Sequence, residues 1–207
     1  MVVFLLLTML SSPFAEATQT AYAQRDADRL RALLGQASSR VDSLLVRYRL
    51  YPLTEDASVL DDLPSSLSDG TAREYALLSG LWAYRAGEAS LFSAVRYGRR
   101  STSLLEQAKA QAPEAPFVLL VEGQSLLFRP AIAGKDPEAA VRRFSRLAEI
   151  AKTSQGEAIT KMEAHMWQWL ALREADRSDE AQALFEQLMR QDPGPLYRQF
   201  LESPPDV

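Results

Sequence analysis

Cysteine is absent from the 207 residues, and histidine occurs once, at position 165. Without a thiol the chain forms no disulfide, gives no thiolate to a metal and holds no cysteine nucleophile. A single imidazole excludes any mechanism or metal site that needs two. Lys and Arg number 23 against 27 Asp and Glu, a net charge of −4, so no overall basic field points to nucleic acid. The glycines fall into neither GxGxxG nor a P-loop pattern, and no GxSxG elbow occurs, which removes a phosphate-cradling loop and a hydrolase turn. HExxH spacing is missing too. His165, beside Lys161, Met162, Glu163 and Met166, therefore reads as a structural histidine at a helix interface. The scattered carboxylates define no glycosidase pair. Neither an enzyme nor a cofactor or metal is expected.

Long apolar runs are also scarce. Met1–Leu10, MVVFLLLTML, is too short to span a bilayer, which takes about 20 residues. It lies ahead of two small-x-small sites, Ala15-Glu16-Ala17 and Ala21-Tyr22-Ala23, the layout of a secretory signal peptide cleaved after Ala17 or Ala23. No Lys or Arg precedes the run, which leaves a buried helix as the alternative. Export implies a signal peptide over 1–23, a single domain over 24–207, and a periplasmic or secreted protein with no integral membrane segment.

The rest reads as helices. Over Asp26–Tyr48, Leu30, Leu34, Ala37, Val41, Leu44 and Tyr48 are spaced 4-3-4-3-4, which fits a bundle helix or a short seam for self-association across Leu30–Tyr48. Leu50–Gly70, with Pro52, Pro64 and five acids, predicts a connector with at most a helical turn; it is a solvated surface or folds back on a basic face. Thr71 and Glu74 form a capping-box pattern that opens a helix through Gly80 to Gly87. Ala89–Ala112 is its partner. Pro116–Phe128 and a helix starting at Asp136-Pro137-Glu138 form a second pair, interrupted by Arg129–Lys135. Ala158–Ala175 and Asp179–Pro193 form a third, and Pro195–Leu201 a short cap.

Asp179–Pro193, DEAQALFEQLMRQDP, sets Ala181 one turn before Phe185 and ends at proline, and so resembles the second helix of a tetratricopeptide (TPR) repeat. Gly80 and Gly87 resemble the corresponding first helix, and Gly123–Ala139 is similar to a variant TPR of bacterial envelope proteins. Trp169 and His165 depart from the pattern, standing where a small residue and a large aromatic are usual. Leu105, Phe144 and Phe185 lie 39 and 41 residues apart, against about 34 in a plain repeat. The resemblance implies an all-α fold of about three stacked antiparallel hairpins, an α-solenoid, with an extra N-terminal helix. It also implies a concave groove from the first helices, lined by Glu74, Leu77, Leu81, Tyr84 and Arg85 in the first unit. The third unit supplies Glu163, Met166, Leu170, Arg173 and Glu174, and the second Glu122 and Gln124. A non-enzymatic scaffold binding an envelope protein or peptide partner there is expected. The alternatives are a small-molecule-binding subunit of a transport system, with a closed pocket at Trp82, Trp167 or Trp169, and a structural oligomer. Arg96, Arg99 and Arg100, and separately Arg142, Arg143 and Arg146, make two basic helix faces, either solvated or holding an anionic lipid, polysaccharide or acidic peptide. Trp82, Trp167 and Trp169 with Tyr84 and Tyr97 line a sugar or aromatic groove or belong to the core.

Overall fold

Short polar side chains and prolines cut the chain into its elements. The computed structural model describes residues 12–151 and 158–207; the Met1–Leu10 run lies outside them. Among the described residues all regular structure is helical. Helix α1, Pro13–Ala23, starts on a proline, whose missing N–H costs nothing in a first turn. Asp26 caps α2, Ala27–Gln36, by accepting the Arg29 N–H at 2.8 Å. Ser39 caps α3, Arg40–Thr54. The capping box at Thr71 and Glu74 opens α4, Ala72–Gly87, with both reciprocal bonds made. Helices α5, Leu91–Gln111, and α6, Pro116–Phe128, follow. Asp136 with Pro137 starts α7, Pro137–Ile150, and Thr160 caps α8, Lys161–Glu174. The chain closes with α9, Ser178–Arg190, and α10, Pro195–Glu202.

From α4 to α9, neighbours in sequence pack antiparallel. Ser79 of α4 bonds the Ser101 carbonyl of α5 at 2.8 Å, and Gln111 reaches back to the Gly70 carbonyl at 3.0 Å. Gly123 of α6 lies against Phe144 of α7, so close that an added Cβ would stand 2.5 Å from the ring. Gln168 of α8 bonds Ser145 of α7 at 2.9 Å, and Trp169 of α8 meets Phe185 of α9. Alternate helices α4 and α6 consequently run parallel: Arg73 covers Phe117 at 4.9 Å, and Gly80 approaches Val121. The turns after α4 and after α6 therefore lie at one end of the molecule.

The N-terminal third departs from expectation. The stripe over Asp26–Tyr48 is two helices, because Ala37 is extended and Ser39 caps a fresh start by accepting the Asp42 N–H. Helices α2 and α3 pack on each other. Leu30, Leu44 and Tyr48 of the expected seam are buried inside the chain, while Leu34, Ala37 and Val41 are partly exposed. Helix α3 also runs through Pro52 to Thr54, five residues into the expected connector, whose single 3₁₀ turn is Ala57–Leu60. Both small-x-small sites lie in α1, which is part of the core. Tyr22 stacks beneath the Arg49 guanidinium at 4.5 Å, and Gln19 donates to the Tyr197 hydroxyl at 2.8 Å, tying α1 to α10. The packed unit thus includes residues 13–23, ahead of the expected boundary at 24. Among the described residues no helix is long and apolar enough to cross a membrane.

Candidate functional site

Two surfaces invite a functional reading, and the first is closed. Helix α3 packs on α4 and reaches α6 and α8 with the side chains of Tyr48 and Arg49, among the residues expected to form the concave groove. Arg40 donates to Glu74 at 2.8 Å, Tyr48 donates to Gln124, and Arg49 forms a two-pronged ion pair with Glu163, its second arm at 3.0 Å. Leu77, Leu81, Met166 and Leu170 are fully buried. Tyr84 stacks on Tyr48 and Tyr51, with ring centroids 5.6 and 4.8 Å apart. Glu122 is held by Lys109 at 3.0 Å and Arg143 at 2.8 Å. Here the groove expectation is corrected: these side chains contact their own chain, because an apolar face of this size is covered in cis when a neighbouring amphipathic helix can reach it. Arg173 lies over Trp169 at 5.0 Å on the surface, and Glu174 pairs with Lys135 at 3.0 Å.

The closed face is strongly electrostatic inside. Burial, the largest influence, pushes the Tyr22 phenol up to about 12, with Glu163 adding to the rise against the pull of Arg49. Burial likewise raises Tyr48 and Tyr197. The hydrogen bond from Arg40, supported by Thr71, holds Glu74 below the usual carboxylate range.

The second surface is open. On the outer side of the α4–α5 pair, Trp82, Arg85, Arg96, Tyr97 and Arg100 converge with Asp62 and Leu63 around a cleft of about 380 Å³. The hairpin register creates it. Once Ser79 faces Ser101, residues one turn further along α4 meet those one turn earlier on α5. Trp82 forms the floor, its indole N–H anchored to the Pro64 carbonyl at 2.9 Å. The Tyr97 ring lies 5.1 Å from it. Arg100 covers Trp82 at 4.6 Å, Arg96 covers Tyr97 at 5.1 Å, and Arg85 lies 5.5 Å from both rings. Guanidiniums stacked on aromatic faces are held in place while their N–H edges stay available.

Charge at the cleft is only partly balanced. Arg85 donates to the Leu60 carbonyl and lies 3.9 Å from Asp61, so the acidic connector does fold back on this face. Asp62 stands at the rim. No carboxylate lies within ion-pair distance of Arg96, Arg99 or Arg100 among the described residues. The local field registers on Tyr97, whose phenol is held below its ordinary value by the Arg96 hydrogen bond, aided by Arg85. The other basic face differs: Arg143 pairs with Glu122, and Arg146 with Glu114 at 2.6 Å and Glu149 at 3.0 Å.

Elsewhere the candidates pack. Trp167 meets Phe128, Phe144 and Phe200, and Trp169 meets Phe185 and Phe200, as parts of the core. His165 borders a gap of about 10 Å³ between α8 and α9, with Lys161, Met162 and Gln191, which holds at most a water. Among the described residues no cluster of three acidic, histidine or cysteine side chains has metal-binding geometry. No family model, no curated protein and no solved structure matches the chain. The arginine–aromatic cleft is thus read on its own chemistry. Its components were visible in sequence, but Trp82 and Arg85 are separated from Arg96, Tyr97 and Arg100 by the hairpin turn, and only the register joins them.

Proposed function

We propose that the protein is a non-enzymatic helical-hairpin scaffold, TPR-like in kind and acting outside the cytoplasm, that binds a partner through an anionic group seated in the α4–α5 cleft. The observation that carries this reading is the convergence of Arg85, Arg96 and Arg100 on one cleft floored by Trp82 and Tyr97. Its volume, about 380 Å³, suits a phosphate- or carboxylate-bearing group and is too small for a helix laid lengthwise. Guanidiniums give forked donors that match the oxygens of such a group, and the two rings offer an apolar wall beside them. The described lining residues are three arginines, two aromatics, a leucine and an aspartate, a set that supports binding.

The test titrates the full chain with inorganic phosphate and glycerol 3-phosphate while following tryptophan emission. A saturable change that weakens with salt and vanishes in the Arg96→Ala/Arg100→Ala variant is expected. An identical response from that variant, or none from the native chain, sinks the reading.

A further inference from the structure

Five large apolar side chains are exposed among the described residues: Leu91 (76%), Phe92 (90%), Val95 (50%), Phe128 (42%) and Ile132 (99%). All five belong to two places, the start of α5 and the α6–α7 connection. Because α4 and α6 run parallel, both places lie at the same end of the molecule. The first continues directly along α5 into Arg96, Arg99 and Arg100, and so into the cleft. The second is flanked by Arg129 and Lys135.

We infer that this end docks on an anionic membrane surface, with Leu91, Phe92 and Ile132 entering the interface and a lipid phosphate seated among Arg85, Arg96 and Arg100. The inference rests on the anion-binding reading of the cleft and names the source of the anion. Its geometry is that of projecting tips rather than a concave apolar groove. Side chains standing almost fully clear of the surface find no fixed complementary wall in themselves, and a soft interface accepts them without one. Apolar insertion and basic attraction are each weak alone, and stable attachment takes both, as they occur here side by side. Of the carboxylates nearest the tips, Glu174 is offset by a cation, whereas Glu88 and Asp136 keep their charge while engaged within the fold. Glu88 accepts from Tyr51, Glu174 pairs with Lys135, and Asp136 caps α7. Asp62 remains at the cleft rim and sets a limit to the attraction.

Two cations at this end have local duties that aim them. Arg129 is braced along α6 by the Ser125 carbonyl at 2.8 Å and hydroxyl at 2.7 Å. Arg96 is steadied by the Tyr97 hydroxyl at 3.3 Å. Neither bond neutralises the guanidinium. The loop between Arg129 and α7 turns on Gly134, whose positive φ of 89° is costly for other residues, and Ile132 in this loop is 99% exposed.

The deciding experiment measures co-sedimentation of the full chain with vesicles of phosphatidylcholine alone and of phosphatidylcholine mixed with phosphatidylglycerol. Binding is expected only to the mixed vesicles, with loss at high salt. Phe92→Glu combined with Ile132→Glu should weaken it about tenfold or more, since charge replaces inserted apolar surface. Both positions are exposed, so the variant folds, which circular dichroism checks. That same variant should keep the phosphate response of tryptophan emission. A Phe92→Trp variant should show a blue shift on mixed vesicles and none on phosphatidylcholine. Phosphate binding without vesicle binding overturns the membrane inference and leaves the cleft reading standing. Vesicle binding lost in Arg96→Ala/Arg100→Ala but unchanged in the tip variant overturns insertion. Concentration-dependent dimers abolished by Phe92→Glu, with no vesicle binding, would assign the tips to a second copy of the chain. Loss of both phosphate and vesicle responses removes the cleft reading along with the inference.

Discussion

The inner face of α4 and its outer edge carry similar residue types and have opposite fates. On the inner face, Leu77 and Leu81 are buried, Tyr84 stacks on Tyr48 and Tyr51 of α3, and the charged groups Glu74 and Glu163 are bound by Arg40 and Arg49. On the outer edge, Trp82 and Arg85 meet Arg96, Tyr97 and Arg100, and among the described residues no helix closes over them. The difference lies in charge balance. Arg40 and Arg49, which cross the inner face, each have a carboxylate, so their burial is tolerable. The outer edge gathers three guanidiniums against Asp61 and Asp62, and excess charge of one sign keeps a surface wet and ready for an opposite partner.

The sharpest way to break the comparison is to unbalance the closed face. Glu163→Ala leaves Arg49 buried without its partner and should destabilise the protein by about 3–5 kcal/mol in urea unfolding. The paired replacement Arg49→Met/Glu163→Leu should recover most of that loss. A chain that begins at Gln24 loses Tyr22 and Gln19 from the same face, and Tyr22 by itself is a large-to-small loss of about 3–5 kcal/mol; its urea midpoint should fall clearly below that of the full chain. Glycine offers a finer probe within one helix. A Cβ at Gly80 would stand 2.5 Å from the Tyr48 ring, whereas nothing lies within 4 Å of one at Gly87. Gly80→Ala should therefore cost about 1–3 kcal/mol, while Gly87→Ala should be neutral or stabilise by up to about 1 kcal/mol through helix propensity.

Alkaline pH separates the two surfaces without mutation. The Tyr22 phenol is raised by folding, so its contribution to stability is complete below pH 10, the unfolded value, and disappears as pH rises through about 12. Tyr97 is lowered instead and should ionise first, while the fold is intact. Ultraviolet titration should show an early reversible phenolate step, followed by a step coincident with loss of helix by circular dichroism. The smallest stability effect belongs to the edge. Arg96→Ala/Arg100→Ala should shift stability by no more than about 0.5 kcal/mol.

The positions of most helices were legible because their starts are written in capping residues: Thr71 with Glu74, Asp136 with Pro137, and Pro116 each open a helix where expected. The break at Ala37–Ser39 was not, since the 4-3-4-3-4 stripe runs unbroken across it and the short Ser39–Asp42 cap is a weak signal beside such periodicity. The covering of the inner face was illegible for a related reason. Periodicity states that Leu77, Leu81, Met166 and Leu170 need cover, and not whether a partner or α3 supplies it. The cleft was legible only in pieces. Arg96, Arg99 and Arg100 stood out as a basic face and Trp82 and Tyr97 as aromatics, but joining them requires the Ser79–Ser101 register, a tertiary fact.

The most direct measurement is a two-dimensional ¹H–¹⁵N NMR titration of the full chain with glycerol 3-phosphate, reading backbone amides, arginine Nε–H groups and tryptophan indoles together. Shifts confined to Trp82, Arg85, Arg96, Tyr97 and Arg100, with Tyr48, Tyr84 and Glu163 unmoved, are the predicted result. Shifts concentrated at Tyr48, Tyr84, Met166 or Leu170 would mean that the face beneath α3 opens to ligand, and would contradict the assignment of function to the edge.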